Sequence, residues 1–224
     1  MIILKNLNNK MNYYAEFETD KIIRDKYYPD FNYKGIIVEV GGGTPEFLSM
    51  SKHFKDEGWR SVIIEPNPMF VELHKKVGNE VYQYACSFEN KLNTDFTIVT
   101  QNVEAYGGIV TDHSFSAIDI KQEYLNYTNK KISDFKTKKI KIDIKRLEDI
   151  LTNINITEVD ILSIDTEGWE IEVMKGIDTE KINCKIIVME NFTNNKTYIE
   201  YMNSIGYRLD ESIQYNQIYI KNLN

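Results

Sequence analysis

A glycine-rich turn between a buried strand and a helix constrains this chain more than any other feature. Residues 36–40 read Ile-Ile-Val-Glu-Val, a run typical of a buried strand, and Gly41, Gly42 and Gly43 follow at once. Glycine lets a ligand approach a turn more closely than any side chain allows, and a helix N-terminus offers free backbone N–H groups. The pattern therefore predicts a turn that binds a polar ligand.

The residues after the glycines predict a helix that begins at Thr44. Thr44 suits the N-cap, and Pro45 suits the first helical position because its missing N–H is not needed there. Glu46 favours the positive end of the helix dipole. Gly58 suits the residue that follows the last turn. We therefore expect one helix between the glycine turn and Gly58.

A second predicted strand, residues 61–65, ends in Glu65, which lies 24 positions after Gly41. In Rossmann-like nucleotide folds, an acidic residue roughly 20 positions after the glycines reaches the ribose hydroxyls. Strand, glycine turn, helix and strand form half of such a fold. The alternative is that the glycines make only a tight turn and that Glu65 is a charge at a strand end.

The glycine pattern departs from the dinucleotide fingerprint at its third position. That glycine of G-x-G-x-x-G would fall at Glu46, where a carboxylate would lie close to a pyrophosphate. The acidic Glu39 inside the preceding strand instead suits a cofactor with a positive ammonium or sulfonium group and no phosphate. These features favour S-adenosylmethionine (SAM) over a dinucleotide.

Composition limits the classes of partner and compartment. The formal net charge is −7, and the one lysine-rich stretch, residues 136–145, alternates with isoleucine as in a strand, so no nucleic-acid partner is expected. Cys86 and Cys184 lack the C-x-x-C spacing of a zinc site and fit a reducing cytoplasm. The short apolar run at residues 1–4 is neither a signal h-region nor a membrane span, so we expect a cytoplasmic protein.

We expect a single domain over residues 1–224, with two additions. Residues 1–34 are polar and tyrosine-rich and predict a cap or helix packed over the sheet. Residues 88–150 interrupt the alternation of strands and helices, although segments 96–100 and 139–144 look like strands. We interpret this irregular insertion as facing the substrate, and a purely structural flap is the alternative.

The rest of the chain returns to alternating strands and helices. Asn67 and Pro68 repeat the cap-then-proline helix start. The strand at residues 159–164 ends in an acidic loop, and a later apolar strand ends at Glu190. The last two predicted strands are joined by a short loop and must pair antiparallel.

Several segments together carry a family resemblance. The most specific is Asp-Thr-Glu-Gly-Trp-Glu at residues 165–170, after a hydrophobic strand, and the next is Glu-Pro-Asn-Pro at residues 65–68. With the other matching segments, the chain resembles the FkbM-type family of SAM-dependent O-methyltransferases. The matching segments are residues 38–43, 64–68, 85–87, 140–151, 159–170 and 186–190.

The resemblance implies a Rossmann-like class I methyltransferase fold. Such a fold is α/β, with a mostly parallel seven-stranded sheet, a C-terminal antiparallel hairpin and, here, an inserted irregular segment. The hairpin separates this sheet from the all-parallel sheet of a dehydrogenase. The implied reaction is methylation of a hydroxyl, often on a sugar of a glycan, a nucleotide-sugar or a natural product, so the partner would be a small-molecule or glycan acceptor.

The resemblance also implies which residues bind the cofactor. Glu39, Gly41 and Gly43 would line the methionine and ribose part of SAM. Glu65, followed by Pro66, would accept hydrogen bonds from the ribose hydroxyls.

Further along the chain, Cys86 and Ser87 would lie near the adenine, and Asp165 and Glu167 would lie where the methyl group is delivered. Ser163 departs from the family, which commonly has lysine at this position.

The three histidines differ in their candidate roles. His113, in an irregular loop beside Asp112 and Ser114, can titrate near neutrality and is the first candidate for the general base. An exposed loop histidine is the alternative. His53 and His74 fall on predicted helices and are expected at the surface or in packing.

Carboxylates are the other candidates for catalysis. Asp165 is the second candidate base because it follows a strand at its carboxyl end. Asp165 and Glu167, with Glu190, could instead hold a divalent cation. Loop carboxylates are more often caps and ion-pair partners, so we expect no metal. The two alternatives to a methyltransferase are an NAD-dependent oxidoreductase and a non-catalytic SAM-binding module.

Overall fold

The computed structural model describes residues 12–99, 102–105, 108–111, 118 and 136–222. Within these residues the chain forms twelve strands. In chain order they are β1 (Ile36–Val40), β2 (Arg60–Ile64), β3 (Glu80–Tyr82), β4 (Ala85–Cys86), β5 (Lys91–Val99), β6 (Asn102–Ala105), β7 (Gly108–Thr111), β8 (Thr137–Lys145), β9 (Glu158–Ile164), β10 (Asn183–Glu190), β11 (Tyr207–Ile213) and β12 (Asn216–Lys221).

The described residues also form six α-helices. They are α1 (Thr19–Tyr27), α2 (Lys52–Asp56), α3 (Pro68–Lys76), α4 (Leu147–Asn153), α5 (Glu170–Met174) and α6 (Thr197–Ser204). The predicted start of α3 is confirmed, since the Asn67 side chain accepts a hydrogen bond from the Met69 backbone N–H at 3.1 Å and Pro68 is the first helical residue. Gly58 and Gly78, which follow α2 and α3, have φ of 87° and 71°.

Seven strands form one twisted sheet in the order β11-β12-β10-β9-β1-β2-β3. The strands from β10 to β3 are parallel to their neighbours, and β12 pairs antiparallel with both β10 and β11. The predicted fold, a mostly parallel seven-stranded sheet with a C-terminal antiparallel hairpin, is therefore confirmed. Among the five parallel strands the middle one is β1, whose Val38 is opposite Val62 on one side and Leu162 on the other.

Helices cover both faces of this sheet. Val38 and Val40 of β1 point into a core shared with α4, α5 and α6, while Ile37, the residue before Val38, points into a core shared with α1 and α2. Because both faces are covered by apolar cores, β1, β9 and β10 are mostly apolar and do not alternate strictly between apolar and polar residues.

The predicted insertion contains strands that do not join the main sheet. β5 and β8 pair antiparallel over nine residues each, and the short β4 joins β8, forming a three-stranded sheet. Phe96, Ile98, Ile142 and Ile144 form its small apolar core. β6 and β7 form a separate antiparallel pair. The two strands predicted at 96–100 and 139–144 are confirmed, and both are longer than predicted.

The prediction that a helix begins at Thr44 is wrong. Residues 44–51 form bends, and α2 begins only at Lys52. The cause is Glu39, which is buried in β1 and accepts a hydrogen bond from the Met50 backbone N–H at 2.8 Å. A buried carboxylate needs such donors, so the segment folds inward before the helix can start.

Residues 12–34 pack over the face of the sheet that carries Ile37. Ile23 of α1 is fully buried in that core. Ahead of the helix, Ala15 forms an isolated parallel bridge with Leu48. This N-terminal segment therefore reaches the bends between β1 and α2, close to the glycine turn.

We predict that Gly41→Ala destabilises the fold far more than Gly43→Ala. Gly41 has φ of 84°, and an added Cβ would lie 1.8 Å from the Asp165 carbonyl oxygen, so the backbone would have to move. Overpacking and the left-handed conformation together should cost about 3 kcal/mol or more. At Gly43 (φ 49°) an added Cβ would meet no described atom within 4 Å, which leaves a cost of about 1–2 kcal/mol. Urea unfolding of both variants tests this, and equal losses would contradict it.

Candidate active site

The carboxyl ends of β1, β2, β9 and β10 bring the predicted site residues to one edge of the sheet. The paired ends Val40, Ile64 and Ile164 lie side by side in register, and Met189 pairs with Ile164. The residues that follow these ends are Gly41 to Gly43, Glu65, Asp165 and, at the last position of β10, Glu190. Ligands of open α/β sheets bind at this edge.

The glycine turn and Glu65 contact each other directly. The Gly43 backbone N–H donates a hydrogen bond to one oxygen of the Glu65 carboxylate at 2.9 Å, and the Asn67 N–H donates to the other at 2.7 Å. Burial raises the pKa of Glu65 to about 7, although both hydrogen bonds act to lower it. The two sequence features that predicted a cofactor site therefore meet in space.

His74 supports the glycine turn from α3. Its ring is fully buried, and Nε2 lies 3.1 Å from the Gly43 carbonyl oxygen while Nδ1 lies 2.7 Å from Asn79 Nδ2. Burial lowers the pKa of His74, so the neutral ring accepts from Asn79 and donates to Gly43. Of the two expectations for His74, a surface position or packing, the structure shows packing, and the packing partner is the glycine turn.

Glu39 lies beneath the site and holds the chain beside it. Besides the Met50 N–H, its carboxylate accepts hydrogen bonds from the Ser49 hydroxyl at 3.2 Å, the Ser51 N–H at 3.2 Å and the Ser51 hydroxyl. Burial raises the pKa of Glu39. In this structure Glu39 therefore shapes the bends between β1 and α2, and its contact with a cofactor stays a prediction.

Asp165 and Glu190 form a close pair of carboxyl groups. One oxygen of each lies within 4.8 Å of the other and of Glu170. Although much of Asp165 is open to solvent, the protein atoms around its carboxylate and the charge of Glu170 raise its pKa to about 7. Burial and the charge of Asp165 raise the pKa of Glu190 well above its ordinary value. A hydrogen bond from protonated Glu190 favours ionised Asp165, so the pair shares a proton.

Glu170 fixes the loop that carries Asp165 and Glu167. It is fully buried, and one oxygen accepts from the Thr166 N–H (2.8 Å), the Thr166 hydroxyl (3.2 Å) and the Gly168 N–H (3.0 Å). Its other oxygen accepts from the Tyr198 hydroxyl of α6 at 2.6 Å. Because both oxygens are engaged by donors, Glu170 is a poor metal ligand despite its place in this acidic group.

Cys86 is the last residue of β4, and Ser87 follows it. The Cys86 thiol is buried in the main core, and burial raises its pKa. The buried Ser87 hydroxyl accepts a hydrogen bond from Trp169 Nε1 at 3.2 Å. Ser87 thus connects the strand β4 to the loop after β9.

A cavity of about 570 Å³ lies between α5 and α6 beside the Asp165–Glu190 pair. Its wall combines acidic, aromatic and amide or hydroxyl side chains with one lysine. The lining residues are Gly168, Glu170, Ile171, Glu172, Lys175, Glu190, Phe192, Thr193, Asn195, Thr197, Tyr198 and Tyr201.

The structure brings together some predicted residues and leaves others apart. Gly43 and Glu65 are in contact, and Asp165 lies close enough to Glu65 for its charge to act on the Glu65 pKa. Pro66 is half-buried next to Glu65. Glu167 has φ of 58°, a left-handed conformation that is uncommon outside glycine. His113 lies outside the described residues, as do Asp112 and Ser114.

Sequence reasoning did not assign roles to three residues of this site. Glu170 was visible as the last residue of the Asp-x-Glu-Gly-x-Glu segment, and that motif was the available signal. Tyr198 and His74 carry no comparable signal, since each belongs to an ordinary apolar helical pattern. Their contacts depend on how α6 and α3 pack against the sheet edge.

A seven-stranded sheet in this order, with its antiparallel last hairpin and an acidic edge beside a glycine turn, defines the class I methyltransferase fold. The methyltransferase FkbM domain matches residues 31–209, and the chain therefore belongs to the FkbM methyltransferase family. It is also similar to a protein named Methyltransferase 1 from Beauveria bassiana (strain ARSEF 2860). The two are 27% identical over an alignment of 179 residues, and the match covers 74% of this chain and 68% of that protein.

Family membership decides between two of the alternatives left open above. It favours a methyltransferase over an NAD-dependent oxidoreductase and implies the use of SAM. Among the helices of the described residues, none is long and apolar enough to cross a membrane.

We predict that Tyr198→Phe lowers the free energy of unfolding by about 1.5–3 kcal/mol, because it removes a hydrogen bond to a buried carboxylate. Tyr201→Phe on the same helix is the matched control, and its half-exposed position should limit the loss to about 0.5 kcal/mol. Urea unfolding monitored by circular dichroism measures both. Equal losses would show that the Tyr198–Glu170 bond contributes nothing specific.

We predict that Glu65 makes the protein less stable as the pH rises. Its pKa is about 7 in the folded protein against 4.5 ordinarily, so its contribution is complete below about pH 4.5 and is lost as the pH rises through 7. One pKa unit is about 1.4 kcal/mol, so the loss is at most roughly 3 kcal/mol. Unfolding of Glu65→Gln between pH 4.5 and 8 should show a shallower decline than the parent protein. The exposed control Glu200→Gln should leave the decline unchanged.

Proposed function

We propose that the protein is a SAM-dependent O-methyltransferase that transfers a methyl group to a hydroxyl of a small-molecule or glycan acceptor, with a sugar as the favoured class. The observation that carries this proposal is the row of carboxyl groups at one sheet edge. Glu39 lies within β1, Glu65 and Asp165 follow the neighbouring strands β2 and β9, and Glu190 is the last residue of β10. Their mutual charge contributes to raised pKa values. A ligand with positive ammonium and sulfonium groups relieves that repulsion.

The glycine turn supports the same proposal. The Gly41 and Gly42 Cβ positions are filled by the Asp165 backbone and the Ile63 side chain, whereas the Gly43 position faces open space. The cofactor would approach at Gly43, with its ribose hydroxyls on the Glu65 carboxylate and Pro66 beside it. Cys86 and Ser87 remain the proposed adenine side.

Glu39 has an indirect place in this proposal. It holds the bends between β1 and α2 through Ser49 and Ser51, which places the Gly41 to Gly43 turn for the methionine part of SAM. The acid within β1 is therefore proposed to position the turn as well as to add negative charge at the edge.

Methyl transfer is a displacement at carbon, so the acceptor oxygen, the methyl carbon and the sulfur must be in line. The oxygen–methyl bond forms as the methyl–sulfur bond breaks, and the hydroxyl proton passes to a base. Asp165 suits this role because its pKa of about 7 matches the working pH of a general base, which contributes about 10²–10⁴-fold. Glu167 lies two residues further along the same loop, and His113 stays a candidate base.

We further propose that the chain acts as one domain, with residues 88–150 as an insertion that faces the acceptor and residues 1–34 as a cap. The protein would work in the cytoplasm without a nucleic-acid partner.

We predict that Glu65→Ala weakens SAM binding about 10–100-fold, since hydrogen bonds to a charged group contribute about 1.5–3 kcal/mol. Titration calorimetry with SAM measures the dissociation constant, and circular dichroism checks that the variant is folded. Glu200→Ala, exposed on α6, is the control and should bind SAM normally. An unchanged dissociation constant in Glu65→Ala would remove Glu65 from the cofactor site.

Transfer from SAM labelled in its methyl group tests the activity itself. Incorporation of label into a glycan or small-sugar fraction, lost in Asp165→Asn, supports the proposal. SAM binding without transfer to any fraction would select a non-catalytic SAM-binding module.

A further inference from the structure

The cavity between α5 and α6 adjoins the proposed site of methyl transfer. Glu190 lines the cavity and its carboxylate lies within 4.8 Å of that of Asp165. A hydroxyl group placed at the Glu190 end of the cavity would therefore lie next to the proposed base. A volume of about 570 Å³ is in the range of pockets that hold one small organic ligand.

Acidic side chains outnumber basic side chains around this cavity. Glu170, Glu172 and Glu190 line it, with Lys175 as the one lysine among its lining residues. Asp165 lies at the same end and shares a proton with Glu190, so this pair adds one negative charge. Since partly buried charges are weakly screened, a phosphate or carboxylate on the ligand would be repelled and an ammonium group attracted.

Aromatic side chains form part of the same wall. Phe192 lines the cavity and packs against Tyr215, with ring centroids 4.7 Å apart. Tyr215 in turn contacts Phe17 of the N-terminal segment at 5.9 Å. Phe17 and its neighbour Glu18 both have φ of 55°, and such strained non-glycine residues are retained mostly at functional sites. The N-terminal segment thus supports an aromatic surface beside the cavity.

Hydroxyl and amide groups complete the lining. Thr193, Asn195 and Thr197 also line the cavity. Aromatic faces pack against the C–H face of a sugar ring, while hydroxyl and amide groups bind its hydroxyls. The combination suits a polyhydroxylated ring and not a flat apolar ligand.

We propose that this cavity is the acceptor pocket and that it selects a polyhydroxylated ring bearing an amino group, in the order amine over neutral over anionic. This inference rests on the proposed methyltransferase function and narrows its acceptor. It excludes nucleotide-sugars and uronic acids, whose phosphate or carboxylate groups would meet the acidic end.

A matched series of monosaccharides tests the order of binding. Saturation-transfer NMR on the protein saturated with S-adenosylhomocysteine, the demethylated cofactor, compares glucosamine, glucose, glucuronate and glucose 6-phosphate. We expect glucosamine to bind tightest and the two anions at least about tenfold more weakly than glucosamine, a difference that one unscreened charge contact supplies. Anions that bind as tightly as glucosamine, or a series in which no sugar binds, would overturn the proposal.

Charge-reversal variants test whether the cavity causes the preference for glucosamine over glucuronate. Glu172→Lys should reduce the preference for glucosamine over glucuronate about tenfold or more. Glu200→Lys makes the same charge change on the exposed part of α6, outside the cavity lining, and should leave the preference unchanged. Equal effects of the two variants would overturn the assignment to this cavity.

Calorimetry with S-adenosylhomocysteine distinguishes a failure of the acceptor proposal from a failure of the methyltransferase proposal. If the cofactor product binds and no sugar does, the acceptor proposal fails while the methyltransferase proposal stands. If the cofactor product does not bind to the folded protein, the methyltransferase proposal fails first.

Discussion

The contact between the turn after β1 and the turn after β9 sets the geometry of the whole site. Gly41 lies so close to the Asp165 carbonyl that no side chain fits between them. The Gly41 N–H also donates to the Ile64 carbonyl of β2 at 2.9 Å, and the Asp165 N–H donates to the Val40 carbonyl at 3.0 Å. Three strand ends are thereby fixed to one another before any side chain of the site is considered.

That backbone arrangement concentrates negative charge at one edge. Glu65, Asp165 and Glu190 would each be an ordinary surface acid at the end of an isolated strand. Here they adjoin, and desolvation raises the pKa of each, with a further contribution from the charge of neighbouring acidic groups. In the proposed mechanism this edge attracts a cationic cofactor on the glycine side and supplies a proton acceptor on the cavity side. The same acidic edge would then act in both cofactor binding and proton removal.

The sequence predicted the main sheet more reliably than the path between its elements. Mostly apolar runs such as 36–40 and 159–164 identify strands buried on both faces, and Asn67 with Pro68 identifies a helix start, because these signals are local. The prediction of a helix start at Thr44 failed because the buried carboxylate of Glu39 accepts a hydrogen bond from the backbone N–H of Met50, eleven residues further along the chain. The helix propensities of residues near Thr44 give no information about this hydrogen bond.

The sequence by itself determined the order of strands and helices, the antiparallel ending and the motif residues Gly41, Gly43, Glu65 and Asp165, since apolar period, caps and spacing are properties of neighbouring residues. Only the tertiary structure decided that His74 supports the glycine turn, that Tyr198 completes the donors around Glu170, and that an acidic, aromatic cavity adjoins Asp165. Each of these contacts depends on packing between elements that are distant in the chain. The shape of the sheet edge determines which side chains meet there.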